Sequence, residues 1–323
     1  GADQWLHIRG RHRNNPILLF IHGGPGWSHI GWYDKIQRPW EDFFTVVQWD
    51  QRQAGKSYQP LKAIGHTLSH QQYISDAEDV ITYLQSEFNQ PKIFVMGTSY
   101  GTYIGMHIAK RHPDWLHAYI GVGQVVKMKD NARAEHKLLL DYAIHHGHDT
   151  LAETLKSMEP YPNPEDPAKD IFNQSFFLME EESKFGKAYP AGLTGLIKSS
   201  NIEKWLSPLY TLRDNFNRIK GDEPDADHPF AKEFVEYDLP QELGDQFEVP
   251  IFFFTGAEDF HVAYSLSDQW FQQINTTHKE HIWFKHSAHV PFETEPGEFL
   301  IALVQRVLPI SYQPTLSAFK ESA

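Results

Sequence analysis

Gly97-Thr98-Ser99-Tyr100-Gly101 lies between an apolar run, Lys92–Met96 (KIFVM), and an amphipathic stretch, Tyr100–Arg111, that stops before Pro113. The run reads as a buried strand and the stretch as a helix. Passing from strand to helix across so few residues demands a tight turn, which forces the residue at its apex into a strained backbone conformation. Glycine suits both ends of that turn, because side chains there would collide with the neighbouring helix and strand. The apical Ser99 then holds its hydroxyl clear of the sheet. The helix N-terminus beside it offers backbone N–H groups and the positive end of a dipole to a developing oxyanion. The spacing G-x-S-x-G in this strand–turn–helix context points to a nucleophile rather than to an ordinary glycine-rich turn.

Outward from this turn, strand and helix patterns alternate. Ile17–Ile21 (ILLFI), Phe44–Trp49 and His117–Val122 read as strands. Ser69–Phe88 reads as a helix with Ile74, Ala77, Val80, Ile81 and Leu84 on one face. The alternation resumes near residue 246 with strand Pro250–Thr255, helix Val262–Ile274, strand Glu280–Phe284 and helix Pro296–Val307. Between lies a stretch of helical segments without a buried-strand signal, broken by the acid- and proline-rich loops Glu159–Asp170 and Gly221–Pro229. Such a pattern predicts an α/β protein: a mostly parallel sheet with helices on both faces. Its core spans residues 1–126 and 246–323, and residues 127–245 form an inserted helical cap. The insertion follows a strand, so it is expected over the carboxyl ends of the strands, where open α/β sheets bind ligands. With the serine turn, the expectation is the α/β-hydrolase fold.

His22-Gly23-Gly24-Pro25-Gly26 follows the first buried strand directly. Acyl transfer needs a second N–H donor facing the carbonyl oxygen, and a glycine-rich loop lets backbone approach a substrate closely. The expected donors are the N–H groups of Gly23 and Tyr100, with Gly24 as the alternative to Gly23. No G-K-S/T and no G-x-G-x-x-G accompanies these glycines, which argues against a phosphate loop. In this fold the acid and then the base come after the serine. Asp259, after strand Pro250–Thr255, is the expected acid, with Glu258 as its rival. His289, after the last strand, is preferred to His286 because the loop needs length to reach back over Ser99. His289 would take the Ser99 proton and Asp259 would hold the imidazole tautomer. No cofactor is required. The histidines show no H-E-x-x-H or similar spacing, so no metal is expected.

Composition narrows the partners. Lys plus Arg total 29 against 42 Asp plus Glu, a formal charge of −13, which repels phosphate backbones and makes nucleic acid an unsuitable partner. The absence of cysteine removes disulfides, thiolate metal sites and a cysteine nucleophile. No run approaches the roughly 18 apolar residues of a membrane span, and no signal peptide is recognisable. The chain opens Gly1-Ala2-Asp3 without methionine, which points to a trimmed start. A lost leader or anchor therefore stays open beside a cytoplasmic location, as does oligomeric state. The expected partner is a small molecule or a short peptide.

HGGPG at His22–Gly26, WDQRQAGKS at Trp49–Ser57, GTSYGT at Gly97–Thr102 and the late Asp259 and His289 together resemble the proline iminopeptidase (prolyl aminopeptidase) group of α/β-hydrolases. The similarity covers about 200 residues on both sides of the insertion. It implies the Ser99–His289–Asp259 triad, a helical cap over the site and release of an N-terminal proline or another small acyl unit. Two departures stand out. Gln53 replaces the glycine of D-Q-R-G, and residues 127–245 contain no W-x-x-W-E segment, whose glutamate in that group helps bind the free α-amino group. The nearest acidic cluster is Glu180-Glu181-Glu182, and Glu181 is the candidate for that anchor. Its alternative is a solvated helix face. Trp27 either lines the pocket or packs under the cap. Asp50, Gln51 and Arg52 are expected to brace the oxyanion loop. Phe172, Phe176, Phe177, Trp205, Tyr210 and Phe216 form either an apolar acyl pocket or the cap's own core. His7, His12 and the His145, His146, His148 group read as surface residues. An esterase, lactonase or amidase using the same triad and a non-catalytic hydrolase-fold binder are the competing functions.

Overall fold

Seven strands make one sheet: β1 (Trp5–Arg9), β2 (Ile17–Ile21), β3 (Thr45–Asp50), β4 (Ile93–Thr98), β5 (Leu116–Val122), β6 (Ile251–Gly256) and β7 (Lys279–Phe284). The computed structural model describes residues 1–163, 165–191, 205, 207–221 and 228–312. The strand order is β1-β3-β2-β4-β5-β6-β7, parallel throughout except for β1, which runs antiparallel to β3 at the edge. The six strands read from the sequence agree with the structure to within two residues at each end. β1 was not among them. It is short and partly exposed, and an edge strand of this kind lacks the continuous apolar run of a strand covered on both faces.

β2 shows why the middle of the sheet reads as unbroken apolar sequence. Ile17, Leu19 and Ile21 face one core, with the helices His70–Phe88 and Tyr100–Arg111. Leu18 and Phe20 face the other, with Trp40, Phe292 and Phe299. Alternate side chains point to opposite faces, and helices cover both, so every position is buried. Helix His70–Phe88 starts where Ser69 Oγ accepts the Gln72 N–H at 3.1 Å, and it ends at Asn89, whose φ of 52° is left-handed. The last predicted helix is interrupted: α-helix covers Pro296–Ala302, and Leu303–Val307 continues as a π turn.

Between β5 and β6 the described residues form helices and loops. The longer helices are Met128–His145, Asp149–Ser157, Ala168–Lys184 and Leu212–Gly221. An isolated antiparallel bridge, Lys127 to Asp238, brings the two ends of this segment together. Ala132, Leu139, Ala143, Leu155 and Leu178 form a small core within it. Of the two predicted loops, Pro164 and residues 222–227 lie outside the described residues, as do residues 313–323 of the predicted core. Among the described residues, no helix is long and apolar enough to cross a membrane.

Candidate active site

Ser99 stands at the junction of β4 and the helix Tyr100–Arg111, with φ 52° and ψ −126°. A non-glycine residue holds this conformation only where its surroundings impose it. The imposition is visible in the flanking glycines. A β-carbon on Gly101 would run into the Ile21 carbonyl, and one on Gly97 into the Gly101 carbonyl. The helix start is thereby pressed against β2 and β4 at once. Thr102 seals the turn, its N–H (2.8 Å) and Oγ1 (2.6 Å) both donating to the Ser99 carbonyl.

His289 and Asp259 meet across two loops that follow β7 and β6. His289 Nδ1 lies 2.9 Å from Asp259 Oδ2, and both side chains are essentially inaccessible to solvent. The Val262 N–H donates to Asp259 Oδ1 at 2.9 Å, so the carboxylate is held on both oxygens. With Nδ1 committed to Asp259, Nε2 is the imidazole nitrogen left for proton transfer, and it is buried without a hydrogen-bond partner. The histidine ring and Ser99 share one neighbourhood. The Ser99 N–H donates to the Val122 carbonyl at 3.0 Å, and a β-carbon on the next residue, Gly123, would stand 2.9 Å from the His289 ring. The two rivals lie elsewhere. Glu258 pairs with Lys187 at 2.8 Å with its side chain 47% exposed, and His286 is exposed.

The glycine loop after β2 lies against the serine. A β-carbon on Gly23 would be 2.8 Å from Ser99 Cβ and 3.4 Å from Ser99 Oγ. His22 fixes the loop's shape. Its Nε2 accepts the Gln51 N–H (3.2 Å), so Nδ1 carries the proton and donates to the Gly23 carbonyl (2.8 Å). Gln51 Nε2 also donates to the His22 carbonyl at 2.7 Å. Of the three expected braces, Gln51 thus touches the loop itself. Asp50 hydrogen-bonds Ser28 just beyond it, while Arg52 turns away to a two-pronged ion pair with Asp76 (2.6 and 2.8 Å). Gln53 has φ 68°, a left-handed backbone for which glycine is the usual choice. Its side-chain oxygen accepts the Gln59 N–H at 3.2 Å.

Ser99 opens into a cleft. Trp27, Phe172, Phe176, Met179, Tyr189 and Phe234 supply its apolar walls, and Asn131, Ser175 and His261 its polar points. Trp27 therefore lines the pocket, its ring 5.8 Å from that of Tyr189. Phe177 packs instead in the inserted segment's own core, and Trp205 and Phe216 meet edge to face, with Phe216 57% exposed. The Tyr210 hydroxyl hydrogen-bonds Asp50, whose carboxyl burial pushes up to about 6 against the bonds it accepts from Ser28, the Lys56 N–H and Tyr210. His12, His145 and His146 are exposed, whereas His7 and His148 are half-buried.

Glu181 is not among the residues that line the cleft: it forms an ion pair with Lys184. Helical phase explains this. Ser175 and Met179 face the cleft, and the next position on that side of the helix is Glu182. Glu182 is fully buried, near the equally buried Glu135, and His261 Nδ1 lies 2.9 Å from Glu135 Oε1. Burial raises both glutamates, Glu182 well above the ordinary value with the charges of Glu135 and Asp259 adding to it. Burial lowers His261, but the Glu135 hydrogen bond and the charges of Glu135 and Asp259 together outweigh it, and the net shift is upward. The sequence carried a faint signal for this group: Asn131 and Glu135 share a face of the helix that follows β5, and His261 stands two residues after Asp259.

The sequence pattern of the α/β hydrolase fold family matches residues 16–296, and the chain belongs to that family. It is 28% identical over 301 residues to the Probable aminopeptidase YbaC of Bacillus subtilis (strain 168), covering 92% of this chain and 91% of that protein. It is 23% identical over 180 residues to a proline iminopeptidase of Saccharolobus solfataricus, covering 54% and 53% of the two chains. Among solved structures, the proline iminopeptidase of Mycobacterium smegmatis superposes with a TM-score of 0.61 at 17% identity, over 96% of this chain and 95% of the other.

Proposed function

We propose that this hydrolase works through an acyl-enzyme on Ser99 and releases a small apolar residue from the N-terminus of a peptide or amide. The observation that carries the reading is the strained Ser99 on the wall of an apolar cleft, with the buried His289–Asp259 pair packed beside it. In this scheme Ser99 Oγ attacks the scissile carbonyl as His289 Nε2 takes its proton. The N–H groups of Gly23 and Tyr100 receive the oxyanion, and His289 returns the proton to the leaving amine. Water, activated by the same imidazole, then frees the acyl group. Residues 127–245 act as the cap, contributing Phe172, Phe176, Met179 and Phe234 to the acyl pocket. The names of the aminopeptidase and iminopeptidase relatives favour an amide with a free amino terminus.

A panel of aminoacyl-2-naphthylamides, their N-acetylated counterparts and short p-nitrophenyl esters tests this. The reading expects turnover of free-amine amides and its loss on acetylation. Activity confined to esters contradicts the aminopeptidase assignment while leaving the serine mechanism standing.

A further inference from the structure

Glu135, Glu182 and His261 come from the helix Met128–His145, the helix Ala168–Lys184 and the loop after β6. One ligand atom from each lies within 4.8 Å of the other two, and His261 Nδ1 is 2.9 Å from Glu135 and 3.9 Å from Glu182. Glu182 has no solvent access and neither of its carboxylate oxygens has a hydrogen-bond partner; Glu135 is equally buried, with Oε2 unpartnered. The Tyr161 hydroxyl is also buried without a partner. Burial and then the charges of Glu135 and Glu182 push its ionisation up, which places it in the field of both carboxylates.

We propose that Glu135, Glu182 and His261 bind a divalent cation of the zinc or manganese type. Buried carboxylates are stable when paired or when they coordinate a metal, and one imidazole cannot balance two carboxylates with Asp259 close by. Two carboxylates and one imidazole form a mixed oxygen–nitrogen set that suits Zn²⁺ or Mn²⁺. Tetrahedral bonds of about 2.1 Å put ligand atoms about 3.4 Å apart, so side-chain rotations that open the His261–Glu135 contact of 2.9 Å and close the His261–Glu182 gap of 3.9 Å, each by about 0.5 Å, bring those pairs to ligand spacing. A small ion fits this place better than a substrate's ammonium group, because of the three residues only His261 reaches the cleft.

The site would also join the inserted helices to the loop that carries Asp259. Asn131 Nδ2 donates to the His261 carbonyl (2.8 Å), the Ala263 N–H donates to Asn131 Oδ1 (2.9 Å), and the His261 and His289 rings stand edge to face at 5.0 Å. A bound ion replaces the Nδ1 proton of His261 and fixes that ring against the candidate base.

The test uses the full chain, stripped with a chelator and titrated by calorimetry with Zn²⁺ and with Mn²⁺, with Tm followed in parallel. The expected result is one ion per chain, a raised Tm, and binding weakened at least about a hundredfold by Glu182→Gln. Without metal, Glu182→Gln is expected to melt no lower than the parent, since it removes a buried charge. The double variant His146→Ala/His148→Ala, which deletes neighbouring imidazoles near the surface, is expected to bind as the parent does. Should Glu182→Gln fail to fold, anomalous scattering from parent crystals soaked in Mn²⁺ decides the matter by a peak between the three side chains. No saturable binding of either ion, binding unchanged in Glu182→Gln, or a peak elsewhere overturns the site.

Discussion

The sheet and the segment inserted between β5 and β6 are built on different terms. The strands bury every side chain of runs such as Ile17–Ile21, and the turns at their carboxyl ends are fixed by backbone contacts that admit only glycine. The inserted segment has a small core of its own. It meets the sheet unit through a few apolar side chains, Met128, Phe230, Tyr237, Leu239 and Leu243, that join the sheet's core, and through polar links: Tyr210 to Asp50, Lys56 to Asp214, Glu242 to Tyr103 and His107. Chemistry placed on the first kind of structure is held rigidly, whereas a pocket wall drawn from the second can vary. Substitutions in the two regions are therefore expected to act on different kinetic constants.

The largest effects belong to the sheet. Ser99→Ala and His289→Ala should each lower kcat by about 10³-fold or more with Tm little changed. Retained turnover in either variant, measured on the preferred substrate, breaks the comparison at its root. Next comes the backbone that presents Ser99. Gly101→Ala forces the helix off the Ile21 carbonyl and should cost about 1–3 kcal/mol of stability, read from denaturant midpoints, with kcat falling as well. A neutral result means the turn is less constrained than the contacts indicate. In the inserted segment, Phe176→Ala should raise KM by about tenfold, the loss of one apolar contact surface, with kcat and Tm nearly unchanged. An equal fall in kcat would move Phe176 from the pocket wall into the positioning machinery.

The smallest effect is at the junction of the two regions. Burial pushes the Glu242 carboxyl up, but hydrogen bonds from His107, the Asp238 N–H and Tyr103 outweigh this and hold it at about 2, against an ordinary 4.5. A carboxyl lowered in the folded state stabilises the fold above pH 4.5, and that contribution is lost as pH falls from 4.5 towards 2. Because the Glu242 side chain is about a third exposed, solvent screening reduces its share to about 1 kcal/mol. Glu242→Gln should flatten the urea midpoint across that window by this amount and leave it unchanged in slope near neutrality. An unaltered acid limb contradicts the link.

What the sequence revealed follows the same division. Ser99, Gly23 and their strands were legible because each rests on a local motif or an unbroken apolar run. Asp259 and His289 could be named as a pair because chain order in this fold leaves few loops for an acid and a base, and the structure brings their side chains to 2.9 Å. β1 was not, since an edge strand half open to solvent carries no such run. Glu181 was named where the structure turns Glu182 inward: a triple glutamate does not reveal its helical phase without the neighbouring Ser175 and Met179 as reference. The Glu135–Glu182–His261 group was barely legible for a further reason. Its members lie on three elements remote in sequence, and no spacing rule spans them.

The kinetic expectations all depend on Ser99 being a nucleophile that His289 activates. The most direct test of this activation is labelling with a fluorophosphonate, followed by peptide mapping of the adduct in the parent and in His289→Ala. A single adduct on Ser99 is expected, forming far more slowly once the imidazole is gone. An adduct on another residue, or a rate indifferent to His289, would contradict it.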